Sequence, residues 1–204
     1  MVSIDTKMET RIRIIDVLNK NRKGIHIREL ARIVKTSYNN IVRNIKILEK
    51  ENVIKKEKEA NLVRIKLKNN PLTIAYLKQA HTENFLKLPK KVYSSINEFL
   101  NELQEKPLIF LIFGSFAKGN YSKDSDIDIL LVFQKVSKQE NIESTAKRVS
   151  MRTNTKLSPV YVDYESFEKN FLNKNHEFSN EIRQNVIILE GIEHYYRISW
   201  RFFE

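Results

Sequence analysis

Apolar residues recur at helical spacing over residues 7–19 (KMETRIRIIDVLN), placing Ile12, Ile15 and Leu18 on one face, and Asn21, Lys23 and Gly24 end the pattern. A second short amphipathic stretch runs from Ile27 to Val34. Lys35-Thr36-Ser37 follows, where a hydroxyl is suited to cap a third helix over SYNNIVRNIKILEKEN, with Ile41, Ile45 and Leu48 as its buried stripe. The other face of that helix carries Tyr38, Asn39, Asn40, Arg43, Asn44 and Lys46. Val53-Ile54 and the alternating run Leu62 to Lys68 then flank Lys55-Lys56-Glu57-Lys58, which predicts a β-hairpin with a lysine-rich turn.

After Asn69-Asn70-Pro71 the pattern changes. Leu72, Ala75, Tyr76, Leu77 and Phe85 predict one helix and Val92, Ile96, Phe99 and Leu100 another, with the break near Pro89 and Lys90. These helices would either pack on a C-terminal sheet or form a dimer interface. The continuous apolar run LIFLIF ending at Phe113 has strand length and suits a central strand covered on both faces. A second apolar strand begins at Asp126 and Asp128, and Lys156 to Asp163 predicts a third. The expected organisation is a domain of three helices and a hairpin over residues 1–70, a helical connector over 71–106 and an α/β (α+β) domain over 107–204, with a small mixed sheet flanked by helices.

Charge separates these parts. The chain has a net charge of +11, but residues 1–70 carry 18 Lys/Arg against 8 Asp/Glu, whereas residues 71–204 carry 18 against 17. One part is therefore suited to a polyanion and the other is not. Cysteine is absent, which excludes disulfides, thiolate zinc sites and a cysteine nucleophile. The four histidines, His26, His81, His176 and His194, lie far apart without metal-ligand spacing. No apolar run approaches the roughly 18 residues of a membrane span, and the N-terminus has no signal-peptide core, so no membrane association and a cytoplasmic location are expected.

The order helix, helix, helix, charged hairpin over residues 5–68 resembles the winged helix-turn-helix of prokaryotic transcription regulators, most recognisably in ILEKENVIKKE. That resemblance implies double-stranded DNA as partner. Ser37, Tyr38, Asn39, Asn40, Arg43, Asn44 and Lys46 would meet bases or phosphates, and Lys55, Lys56, Lys58 and Arg64 would serve as backbone contacts from the hairpin. A homodimer would match paired half-sites.

The second motif is GSFAKGNYSKDSDID. Side chains two apart on a strand share a face, so Asp126 and Asp128 would aim two carboxylates at one spot, a cost that a Mg²⁺ ion relieves. Gly114 allows close approach of a triphosphate, Ser115 and nearby backbone N–H groups suit its oxygens, and Lys118 and Lys123 add positive charge. Gly-Ser separated by ten residues from Asp-x-Asp resembles the minimal nucleotidyltransferases of the DNA polymerase beta superfamily, over roughly residues 92–198. The resemblance implies Asp126 and Asp128 as catalytic metal ligands, Mg²⁺ as cofactor, and a nucleoside triphosphate as substrate or effector. It also implies a third carboxylate on the neighbouring strand. That position falls near Ser158 or Pro159, neither an acid; Asp163 and Glu165 would serve only in a shifted register. Three functions follow: a DNA-binding regulator whose second domain binds nucleotide without efficient transfer, an active metal-dependent nucleotidyltransferase, or an antitoxin with a small helical toxin as partner protein.

Overall fold

The periodic apolar residues of the first third become three helices and a small sheet. The computed structural model describes residues 4–59, 62–136 and 139–203, and the chain divides into two units, Met1–Ala80 and His81–Glu204. The first unit holds α1 (Ile4–Lys20), β1 (Ile25–His26), α2 (Ile27–Val34), α3 (Tyr38–Lys50), β2 (Ile54–Glu59) and β3 (Leu62–Leu67). Ile12, Ile15, Leu18, Leu30, Val34, Ile41, Ile45 and Leu48 are all buried. The tight entry to α3 has two local causes. Lys35 adopts a left-handed conformation (φ 54°) that ends α2, and the Ser37 hydroxyl accepts the Asn40 N–H at 3.2 Å to start α3.

The sheet of this unit has the order β1-β3-β2, antiparallel throughout. Here the structure adds one strand that the sequence reading did not contain and corrects one expectation. β1 is a two-residue strand defined only by its pairing of Ile25 with Ile65 and His26 with Arg64. Lys55, Lys56, Glu57 and Lys58 lie within β2 rather than in the turn, since all six β2 residues pair with β3. The charged strand is tolerated because Glu57 sits between Lys55 (2.7 Å) and Lys66 (2.5 Å), while Lys56 pairs with Glu49 of α3. Hydrogen bonds from Lys55 and then Lys66 hold the Glu57 carboxyl below its usual range. Residues 60–61, between β2 and β3 in the chain, lie outside the described residues.

Helix α4 (Pro71–Leu86) spans the division, so the sequence boundaries at 70 and 106 do not coincide with it. The early part of α4 belongs with the first unit because the Tyr76 hydroxyl donates to Glu51 at 2.8 Å, and Arg11 reaches the same carboxylate at 3.3 Å.

The second unit continues with α5 (Lys90–Glu102), β4 (Ile109–Ile112), α6 (Gly114–Lys118), β5 (Ile127–Phe133), α7 (Gln139–Thr153), β6 (Leu157–Asp163), α8 (Tyr164–Leu172), α9 (Glu177–Gln184), β7 (Ile187–Glu190) and α10 (Ile192–Phe203). Its sheet has the order β6-β5-β4-β7, with β5 and β6 parallel and the other pairs antiparallel. The parallel pair requires a crossover, which α7 supplies. Ile127, Ile129, Leu131 and Phe133 pack with Phe110 and Ile112 against Val92, Ile96 and Phe99 of α5 and Ile142, Ala146 and Val149 of α7. Helix α5 is thus part of the sheet's core, and Arg148 of α7 grips Glu102 through two bonds of 2.9 and 2.8 Å. Helices α8 and α10 also contact the sheet, at β5 and β4. Tyr195, Tyr196 and Trp200 of α10 are buried core residues. Ile188 N–H donates to His81 Nδ1 at 3.3 Å, which leaves Nε2 facing the Tyr196 hydroxyl at 2.8 Å.

Candidate functional site

The end of β4 and the start of β5 bring the Gly-Ser turn and the two aspartates together. Phe113 N–H donates to the Asp128 carbonyl at 3.0 Å, so the chain leaving β4 turns into α6 directly beside Asp128. Gly114, at φ +64°, makes that turn, and a β-carbon there would overlap the Asp128 carboxylate. Ser115, half-buried, follows in α6, which Gly119 ends in a left-handed cap. Tyr121 stacks on Phe116 with centroids 4.5 Å apart, and Ser122 N–H donates to Ser125 Oγ at 2.8 Å. This ordered loop delivers Asp126 to the mouth of β5, one residue before the strand. Asp128 alternates with the buried Ile127 and Ile129 and shares a face with Asp126.

The partners of these carboxylates come from β6 and α9. The parallel register sets Asp128 opposite Ser158 and Ile127 opposite Leu157. The Lys156 ammonium pairs with Asp126 Oδ2, and the Ser158 hydroxyl donates to the same oxygen at 3.3 Å. Asp163 lies five positions farther along, opposite Phe133, where its carboxylate caps α8 by accepting the Ser166 N–H at 2.9 Å. That bond holds the Asp163 carboxyl below its usual range. Asp163 is therefore at the opposite end of β6, and Glu165 lies beyond it in the first turn of α8.

Glu181 of α9 pairs with Lys118, so this lysine is engaged by a carboxylate. Lys123 lies on the wall of a cavity of about 710 Å³ that Phe116, Tyr121, Asp126, Met151 and Lys156 also line. Neither Lys156 nor Glu181 stands out in the sequence, because only the fold brings β6 and α9 to the Asp-x-Asp strand. Among the described residues no cluster of three or more His, Cys, Asp or Glu is placed to hold a metal ion. The donor set comprises two carboxylates, one already paired with an ammonium, and the Ser158 hydroxyl opposite Asp128. It does not fit a pair of catalytic metal ions.

Burial pushes the Asp128 carboxyl above its usual range, Asp126 and Glu181 add to this, and Lys118 and Lys156 offset part of it. A carboxyl whose folded pKa is raised binds its proton more tightly when folded, so it costs stability as pH rises above the ordinary value of about 4. Asp128→Asn should therefore raise the melting temperature at pH 7, a gain that fades below pH ~4. Circular-dichroism melts at the two pH values check this, and a lower melting temperature at pH 7 would contradict it.

In the first unit, α3 exposes Tyr38, Asn39, Arg43 and Lys46, with Ser37 exposed at the helix start. Asn40 is half-buried; its Oδ1 accepts from Arg43 at 2.8 Å and its Nδ2 donates to Thr36 at 2.9 Å. Asn44 departs from the expected face. It is buried, and its Nδ2 donates to the Asn40 carbonyl at 2.8 Å, because position 44 falls beside Ile41, Ile45 and Leu48 on the inward arc. Lys55, Lys56 and Lys58 are exposed on β2, whereas Arg64 is half-buried and donates to the Gly24 carbonyl at 3.2 Å.

A family model described as "Nucleotidyltransferase domain" matches residues 94–189. A second, described as HVO_A0114, matches residues 8–70. A Methanocaldococcus jannaschii protein named "Putative protein adenylyltransferase" is 27% identical over 77 residues, covering 34% of this chain and 78% of that protein. No solved structure matches the chain. Among the described residues, no helix is long and apolar enough to cross a membrane.

Proposed function

We propose that this chain, whose C-terminal part is a nucleotidyltransferase-like domain, is a DNA-binding transcriptional regulator in which that domain binds a nucleoside triphosphate without efficient transfer. The observation that carries the reading is the outward face of α3. Tyr38, Asn39, Arg43 and Lys46 lie exposed on one helix of the part that holds 18 Lys/Arg against 8 Asp/Glu. A winged helix-turn-helix would set such a face in the major groove, where arginine and asparagine read base edges and lysine meets phosphate. Ser158 opposite Asp128 supports binding over transfer, since a hydroxyl there lacks the charge with which an acid would help deprotonate an acceptor. Fluorescence anisotropy on labelled duplexes tests the DNA half. Arg43→Ala should weaken binding about tenfold, the scale of one lost base or phosphate contact, and unchanged affinity would contradict the role given to α3.

A second reading, adenylyl transfer, is favoured by the similarity to the M. jannaschii protein. Incubation with α-phosphate-labelled ATP separates the two. Label that appears with wild type and disappears in both Asp126→Asn and Asp128→Asn supports transfer at this site, and no label supports the regulator.

A further inference from the structure

Asp126 already has a cation. The Lys156 ammonium and the Ser158 hydroxyl both meet Asp126 Oδ2, and backbone pairing fixes their approach. Ile127 N–H donates to the Lys156 carbonyl at 2.9 Å, and Leu157 N–H donates to Ser150 Oγ at 3.0 Å. Lys156 therefore emerges immediately before β6, beside the residue that precedes β5, wherever its side chain swings. The second carboxylate, Asp128, is half-buried against Gly114. A divalent cation bridging the two aspartates would have to displace a tethered ammonium and then sit beside its charge.

We infer that Lys156 is a resident counter-cation for Asp126 that competes with divalent metal, so the Asp126/Asp128 pair is largely closed to metal loading in the wild-type chain. Hard dications favour carboxylate oxygen over a serine hydroxyl, so Ser158 offers nothing to offset the loss of Asp126. An ammonium tethered to the β6 backbone acts at high effective concentration and cannot diffuse away. Other charges around the site, Lys123 and Asp124 on the cavity wall and the Lys118–Glu181 pair, are carried by other elements and do not contact Asp126 Oδ2. The inference rests on the nucleotidyltransferase-like reading of this domain and is independent of DNA binding.

Mn²⁺ titration of the full chain, followed by calorimetry and by the loss of the free-ion electron paramagnetic resonance signal, tests it. Lys156→Ala should bind Mn²⁺ about tenfold more tightly than wild type, the effect of removing one positive charge near a dication at a solvated site. Lys156→Arg should keep the wild-type affinity. Equal affinity in wild type and Lys156→Ala overturns the inference, as does a gain that persists in Lys156→Ala/Asp126→Asn, which would place the ion elsewhere. Thermal shift with nucleoside triphosphates in EDTA and in Mg²⁺ keeps the two readings apart. If no triphosphate stabilises any variant, nucleotide binding fails while a tighter Mn²⁺ site in Lys156→Ala still stands.

Discussion

Raising monovalent salt from about 50 to about 200 mM should weaken duplex binding by this chain on the order of 500-fold, if about five phosphates are neutralised. The number of cations that are free to exchange solvent counterions for phosphate sets the slope. Arg43, Lys46 and Lys50 are exposed on α3 and Lys58 on β2. Lys55, Lys56 and Lys66 instead face Glu57 or Glu49, so a phosphate there would replace an existing carboxylate contact and release fewer ions. The slope should therefore fall well short of one unit for each of the 18 basic residues in this part of the chain. Arg43→Ala should reduce it by about one unit. Anisotropy titrations at four or more salt concentrations measure both quantities, and an affinity that does not change with salt would remove DNA from the proposed function.

Elements held together by local periodicity were legible in the sequence. Helix α2 runs over the Ile27–Val34 stretch that its apolar spacing marks, and the LIFLIF and IDILLVF runs become the two central strands. Elements that exist only through a distant partner were not. β1 is two residues long and has no pattern of its own, and β2 is a strand because β3 pairs with a segment whose charges suggested a turn. Asn44 was misplaced for a related reason: its polarity suggested solvent, but helical geometry turned it inward and Asn40 satisfied its amide nitrogen. At the aspartate pair, the Gly-Ser and Asp-x-Asp spacing pointed to the turn and strand. Ser158 was already legible as the position where the resemblance would put a third acid, and the parallel register sets it opposite Asp128, whereas Lys156, just before β6, and Glu181 of α9 reach the aspartates only through the fold.

Gly191→Ala should unfold the second unit, whereas Gly114→Ala should leave it folded and abolish nucleotide binding. Both glycines are left-handed, at φ +70° and +64°, so each alanine carries a backbone cost of about 1–2 kcal/mol. The difference lies in what the new methyl group meets. At 191 it would overlap the carbonyl of Leu108, whose N–H donates to the Val132 carbonyl at 2.7 Å. Backbone cannot give way there without disturbing the β4–β5 and β4–β7 pairs, so the expected loss exceeds about 4 kcal/mol. At 114 the obstacle is the carboxylate of Asp128, a side chain that rotates aside at the expense of the site. Near- and far-ultraviolet circular dichroism should show native signals for Gly114→Ala and lost tertiary signal for Gly191→Ala. In the wild type, a triphosphate at a hundredfold excess over its dissociation constant should add about 2.7 kcal/mol of stability. Gly114→Ala should show none of it, and a full nucleotide-dependent shift in that variant would move the triphosphate away from the Gly-Ser turn.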